Sequence, residues 1–164
     1  MSNKFKKSKE DIRDQILTKA RYYRNYRRIH FFDNTIPTPK YESYVVDGNE
    51  MVVLLIRFSR SKKILVTTKY IIIISKRATI KIHGDEIDRY DYMEHINYGE
   101  TYETASYLKL KYFRFKIMFR IGKYRIVKKD GSHVDLFFKR AKYPDCLNEC
   151  IKKLKFVTHK YESY

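Results

Sequence analysis

The sequence predicts an α+β fold: a strongly bent antiparallel sheet or partial barrel, closed by a C-terminal amphipathic helix and preceded by an extra N-terminal helix. Three observations predict it. Apolar residues recur at helical spacing near the start, at Ile12, Ile16, Ala20 and Tyr23. From Tyr41 onward the period changes to two, in short apolar runs separated by turn residues. A single one-sided apolar stripe then closes the pattern: Cys146, Leu147, Cys150, Ile151, Leu154 and Val157 oppose Asp145, Asn148, Glu149, Lys152 and Lys153.

The first helix is expected over about residues 9–29. Ser8 can accept an amide hydrogen of the first turn, and Glu10 and Asp11 suit the positive end of the helix dipole. Arg21, Arg24 and Arg28 then fall on one face, away from the Ile12 stripe. Ile36-Pro37-Thr38-Pro39 reads as an extended connector, because each proline biases its predecessor away from helical angles.

Strands are expected at Met51–Phe58, Ile64–Thr68, Tyr70–Ser75, Thr79–His83, Ile87–Tyr92, Leu108–Ile121, Tyr124–Lys128 and Val134–Phe138. Asp47-Gly48-Asn49 precedes the first, Ser59–Lys63 separates the next pair, and Asp130-Gly131 is a hairpin signal, since Gly takes the positive backbone angles a tight turn requires. Along 108–121 the apolar parity changes near Tyr112, which a bulge or bend would accommodate. Pro144 is tolerated in the first turn of the last helix. The expected organisation is therefore a basic N-terminal helix (1–34), a proline-containing connector (35–43), a sheet-plus-helix domain (44–157) and a C-terminal tail (158–164). The pentapeptide Lys-Tyr-Glu-Ser-Tyr occurs at both 40–44 and 160–164, without the period of a repeat architecture.

From Tyr44 to Val157 the chain resembles a bacterial pleckstrin-homology-like domain. The likeness is carried by Gly48-Asn49-Glu50 before the apolar run 51–56, by Leu65-Val66-Thr67-Thr68-Lys69-Tyr70-Ile71-Ile72, and by Ile80-Lys81-Ile82 leading to Asp85-Glu86-Ile87. The Asp130-Gly131 hairpin and the terminal helix complete it. The resemblance implies a binding scaffold without catalysis, whose ligands in different members are phosphoinositide head groups, peptides or proteins. It assigns no lipid-ligand residue.

Composition bounds the function. The chain has 164 residues, 36 Lys plus Arg against 19 Asp plus Glu, a formal charge of +17 and 16 % aromatic residues. That content excludes disorder of the whole chain, and no apolar run approaches the roughly 20 residues of a membrane-spanning helix. Positive charge favours anionic partners. Part of it is compositional, because Lys, Ile, Tyr, Phe and Asn make 73 residues while Ala makes 4, a bias toward A/T-rich codons. Met1–Lys9 leads into no signal-peptide core, so a cytoplasmic location is expected, with peripheral membrane attachment as a variant.

Three constellations carry candidate chemistry. Arg21, Arg24 and Arg28, interleaved with Tyr22, Tyr23 and Tyr26, pair basic with stacking groups. Lys109, Lys111, Arg114, Lys116 and Arg120 would form a positive stripe on one sheet face. Against both stands an acidic segment with Asp85, Glu86, Asp88, Asp91 and Glu94: residues 84–104 carry net −6, leaving +23 for the rest. Each constellation also has a plain structural reading, as solvated faces or as internal neutralisation of the N-terminal helix. His83, His95 and the nearby acids lack metal-ligand spacing, and Cys146 and Cys150 read as buried packing. No metal, cofactor or catalytic residue is expected. The expected function is a non-enzymatic binding module that docks a protein or an anionic surface through polarised charge, with toxin neutralisation as an immunity protein its specialised version. RNA or DNA binding through the basic helix and strand face is the alternative.

Overall fold

The computed structural model describes residues 5–26, 28–32, 50–57, 62–93, 122–138 and 142–163. Among them the architecture is α+β, with helices α1 (Lys9–Ala20) and α2 (Lys142–Lys160). A five-stranded antiparallel sheet has the order β2-β3-β4-β5-β6: β2 (Ile29–Phe31), β3 (Val52–Arg57), β4 (Lys63–Thr67), β5 (Tyr70–Ile74) and β6 (Thr79–His83). A three-stranded sheet comprises β7 (Ile87–Met93), β8 (Gly122–Lys128) and β9 (His133–Phe138). Strands β1 (Phe5–Lys7) and β10 (Tyr161–Ser163) form a parallel two-stranded ribbon. The two larger sheets share no hydrogen-bonded strand pair among the described residues.

Ser8 caps α1 as its position dictates, its hydroxyl oxygen accepting the Asp11 amide at 3.2 Å. The helix is shorter than expected. It ends at Ala20, and residues 21–23 tighten into a 3-10 turn, continued by Tyr26 N–H to Tyr23 O at 3.1 Å and Ile29 N–H to Tyr26 O at 2.9 Å. The physical reason lies in the strand that follows. Ile29 and Phe31 are buried opposite Ile56 and Leu54 of β3, and this pairing takes the backbone of residues 29–31 out of the helix. Tyr23 and Tyr26 pack against the core from the turn.

Strands β3, β4 and β5 are buried on both faces, which is why they read as continuous apolar runs. One face sets Leu54, Ile56, Ile64, Val66, Ile71, Ile73 and Ile82 into the main core; Leu55, Leu65, Ile72, Val52 and Phe32 make a second cluster on the other. A register shift between Val52 and Leu54 marks a bulge in β3. The β8–β9 connection follows the Asp-Gly signal: Gly131 has φ +83°, its amide donates to Lys128 O at 3.0 Å, and Asp130 Oδ1 accepts the Ser132 amide at 2.8 Å.

The stripe predicted for the last helix is buried in full, from Cys146 to Val157. It packs against Ile12, Ile16, Leu17 and Ala20 of α1, so the N-terminal helix shares one core with both sheets and is no appendage. Burying this apolar area is the main stabilising term, at roughly 25 cal/mol per Å² removed from water. Within the expected tail, residues 158–160 finish the helix and Tyr161–Ser163 form β10. The connector 35–43, the expected strand 108–121 and the first pentapeptide copy lie outside the described residues.

Candidate interaction site

Strand β6 ends in a 3-10 turn, Gly84–Glu86, that leads directly into β7. His83 caps this turn, its Nδ1 accepting the Asp85 amide at 3.2 Å. The Gly84 amide donates to Lys69 O at 2.9 Å. Gly84 is required by contact with α2: a Cβ there would lie 2.4 Å from Thr158 Oγ1, 2.8 Å from Thr158 Cγ2 and 3.0 Å from Leu154 Cγ. Thr158 cannot easily give way, since its hydroxyl donates to Leu154 O at 2.8 Å within the helix. Two further links hold the surroundings. The Lys129 amide donates to Glu86 O at 2.8 Å, and Lys155 Nζ donates to Asp88 O.

These contacts leave a cleft of about 300 Å³ between the turn, the start of β7, the β8–β9 hairpin and the last turns of α2. Gly84, Ile87 and Phe156 line it together with Asp85, Asp88, Lys129, Lys155 and His159. The volume is at the small end of ligand pockets, enough for one side chain or a small head group. A lining that includes two carboxylate and two ammonium residues suits a partner carrying both signs of charge.

The sequence-predicted residues divide between this cleft and other places. Asp85 and Asp88 line it; Glu86 sits exposed on the turn, and Asp91 lies on β7 with its Oδ2 3.8 Å from Arg89 Nε. Arg21, Arg24 and Arg28 do not share a helix face, because the helix stops before them. Arg21 lies in the 3-10 turn 3.6 Å from Asp14, Arg24 follows it, and Arg28 leads into β2, where its carbonyl accepts the Arg57 amide at 2.8 Å. Beside them, burial and then the Arg57 charge push His30 below its ordinary value. Lys109, Lys111, Arg114, Lys116, Arg120 and Glu94 lie outside the described residues.

Sequence reasoning missed Lys129, Lys155, Phe156 and His159 as site residues. They come from two distant segments, and only the helical phase of α2, which puts 155, 156 and 159 beside one another, hinted at them.

Two other polar groupings lie on the sheets. On β8 and β9, Asp135 accepts from Arg125 through both oxygens, at 2.7 and 3.0 Å, and lies 2.8 Å from Lys123 Nζ. The Arg125 hydrogen bonds hold its carboxyl well below the usual range. Just before β3, the Glu50 side chain is 1 % exposed, with no hydrogen bond to either oxygen among the described residues, and lies 3.8 Å from Lys81 Nζ, which itself lies 3.8 Å from the Tyr70 ring centre.

Among the described residues no group of three or more His, Cys, Asp or Glu could hold a metal ion. Cys146 and Cys150 are both buried; hydrogen bonding to Cys146 and then burial raise the Cys150 thiol, which keeps it protonated and unreactive at neutral pH. No helix among the described residues is long and apolar enough to cross a membrane. No protein-family model, no curated protein and no solved structure matches the chain.

Proposed function

We propose that the chain is a non-enzymatic binding module that docks a protein partner through polarised charge, with neutralisation of a toxin by an immunity protein as a specialised form. The presence of Asp85 and Asp88 together with Lys129, Lys155 and His159 on the lining of one cleft carries this reading. A surface with both signs of charge orients a protein partner and disfavours uniformly anionic polymers, because like charges brought together cost free energy. A pleckstrin-homology-like scaffold, bent into a partial barrel, is the fold reading that accompanies it. Its support is the antiparallel strand order β2 to β6, the β7–β9 meander and the closing helix.

The test is recovery of bound proteins from native lysate by the wild type and by the triple variant Asp85→Asn, Asp88→Asn, Lys129→Gln. A protein retained by the wild type and lost by at least tenfold from the variant supports the reading, since each removed charge contact slows no other step but weakens docking. Retention that disappears on nuclease treatment transfers the function to RNA or DNA binding through Arg21, Arg24 and Arg28. Equal retention by the variant removes the cleft from the interface.

A further inference from the structure

The five-stranded sheet has a basic end that the docking cleft does not use. Strands β3 and β5 finish there and β4 and β6 begin there; the register sets Arg57 opposite Lys63, and Arg28 stands on the other side of Arg57, its carbonyl accepting the Arg57 amide at 2.8 Å. Lys62 precedes β4, and Lys76 and Arg77 sit at the tip of the β5–β6 hairpin, just past the paired Ile74 and Thr79. Arg28, Arg57, Lys62, Lys76 and Arg77 are all exposed. Adjacent strands lie about 4.8 Å apart, so these cations follow one another in a row roughly 15–20 Å long. Like charges set directly opposite one another destabilise a strand pair, and among the described residues no acid forms an ion pair with Arg57, Lys76 or Arg77. Burial and then the Arg57 charge lower the nearby His30, so the positive field reaches past the row itself. The acids that flank the sheet lie at its other end, Glu50 before β3 and Asp85 and Glu86 after β6.

We propose that this row holds the phosphate backbone of a single-stranded nucleic acid. A regular series of cations suits a polymer whose charges repeat at a fixed interval, and binding releases the counterions condensed on that polymer. Lipid head groups have no such interval. A stacking face stands on the segment that enters the sheet at this end: Tyr22, 88 % exposed, lies in the turn of residues 21–23 that leads through Arg24 and Arg28 into β2. A ring open to solvent accepts any unpaired base, which separates a single strand from a duplex whose bases already stack on one another. The chain's +17 draws the polymer in, and the carboxylates beyond β6 repel it, which turns it toward the row. The cleft opens at Gly84, past the opposite end of β6, and none of its lining residues belongs to the row, so the two surfaces share no side chain.

The test is fluorescence anisotropy of a labelled thymidylate oligonucleotide of about 15 residues, and of the same strand annealed to its complement, titrated with the full chain between about 50 and 200 mM salt. The wild type is expected to bind the single strand more tightly than the duplex, with an affinity that falls as salt rises. The triple variant Arg57→Gln, Lys76→Gln, Arg77→Gln is expected to flatten the plot of log affinity against log salt by about 2, at roughly 0.7 for each phosphate contact removed. The control Lys6→Gln, Lys152→Gln, Lys160→Gln removes the same charge from exposed positions on β1 and α2 and is expected to leave that slope within about 0.5 of wild type. Tyr22→Ala is expected to weaken the single strand about tenfold and the duplex hardly at all. Should Arg57→Gln unsettle β3, the hairpin variant Lys76→Gln, Arg77→Gln still flattens the slope by about 1.4. No binding at the lower salt, a tighter duplex, or equal flattening by the control variant overturns the proposal. An unchanged slope in both row variants, or equal losses on single strand and duplex for Tyr22→Ala, also overturns it. Every substitution lies outside the cleft, so failure here leaves the protein-docking result unchanged.

Discussion

Gly84→Ala is the most informative single substitution in the fold. The new methyl carbon would fall 2.4 Å from Thr158 Oγ1, 2.8 Å from Thr158 Cγ2 and 3.0 Å from Leu154 Cγ, all well inside van der Waals contact. Relief requires moving either the 3-10 turn, held by the Gly84 amide on Lys69 O, or helix α2, whose stripe is buried along its length. Overpacking of this kind costs about 1–3 kcal/mol, and a clash against two atoms of one residue in a locked rotamer puts the expected loss at about 3 kcal/mol. Urea unfolding should show a lower midpoint with an unchanged slope. Thr158→Ala removes the two nearest contacts and leaves only Leu154 Cγ at 3.0 Å. The double variant should therefore be more stable than the sum of the single losses by about 1–2 kcal/mol, a coupling characteristic of residues in contact. A Gly84→Ala protein within about 0.5 kcal/mol of wild type, or strictly additive losses, would refute the argument that this glycine exists to let α2 approach.

Two further outcomes follow from the second sheet. Tyr124→Phe removes a hydroxyl that donates to Asn148 Oδ1 at 2.6 Å from a fully buried ring, and should cost about 1–2 kcal/mol by urea unfolding, with less than about 0.5 kcal/mol contradicting the role of this bond. Asp135 has its carboxyl held below the ordinary 3.8, so its contribution is present above that value and fades as pH falls through the lower folded value. Asp135→Asn should lower stability at neutral pH by less than about 1 kcal/mol, as suits a partly exposed pair, and flatten the acid limb of a plot of unfolding midpoint against pH. An unchanged acid limb would contradict it.

What could be read from the sequence was local. The α2 stripe, the runs of β3 to β6 and the Asp130-Gly131 turn each announce themselves within a dozen residues, because period, burial and turn chemistry agree there. What escaped depended on tertiary partners. Nothing within residues 21–29 says that Ile29 will pair with Ile56, so the helical spacing of the arginines looked continuous where the backbone turns into β2. Strands of three residues such as β1 and β10 are too short to show a period, and their pairing joins opposite ends of the chain. The cleft was half legible: Asp85 and Asp88 stood out by charge, but their opposite numbers at 129, 155 and 159 meet them only after α2 has docked over Gly84.

The packing of α1 against α2 has a consequence for biosynthesis. Ile12, Ile16, Leu17 and Ala20 leave the ribosome well before the helix that covers them, which is encoded more than a hundred residues later. Until residues 142–160 emerge, the nascent α1 presents an apolar stripe with its final partner missing, a target for a chaperone during translation. Loop-closure entropy also works against early docking of two elements so far apart in sequence. Helix α1 is made long before it can be locked in place.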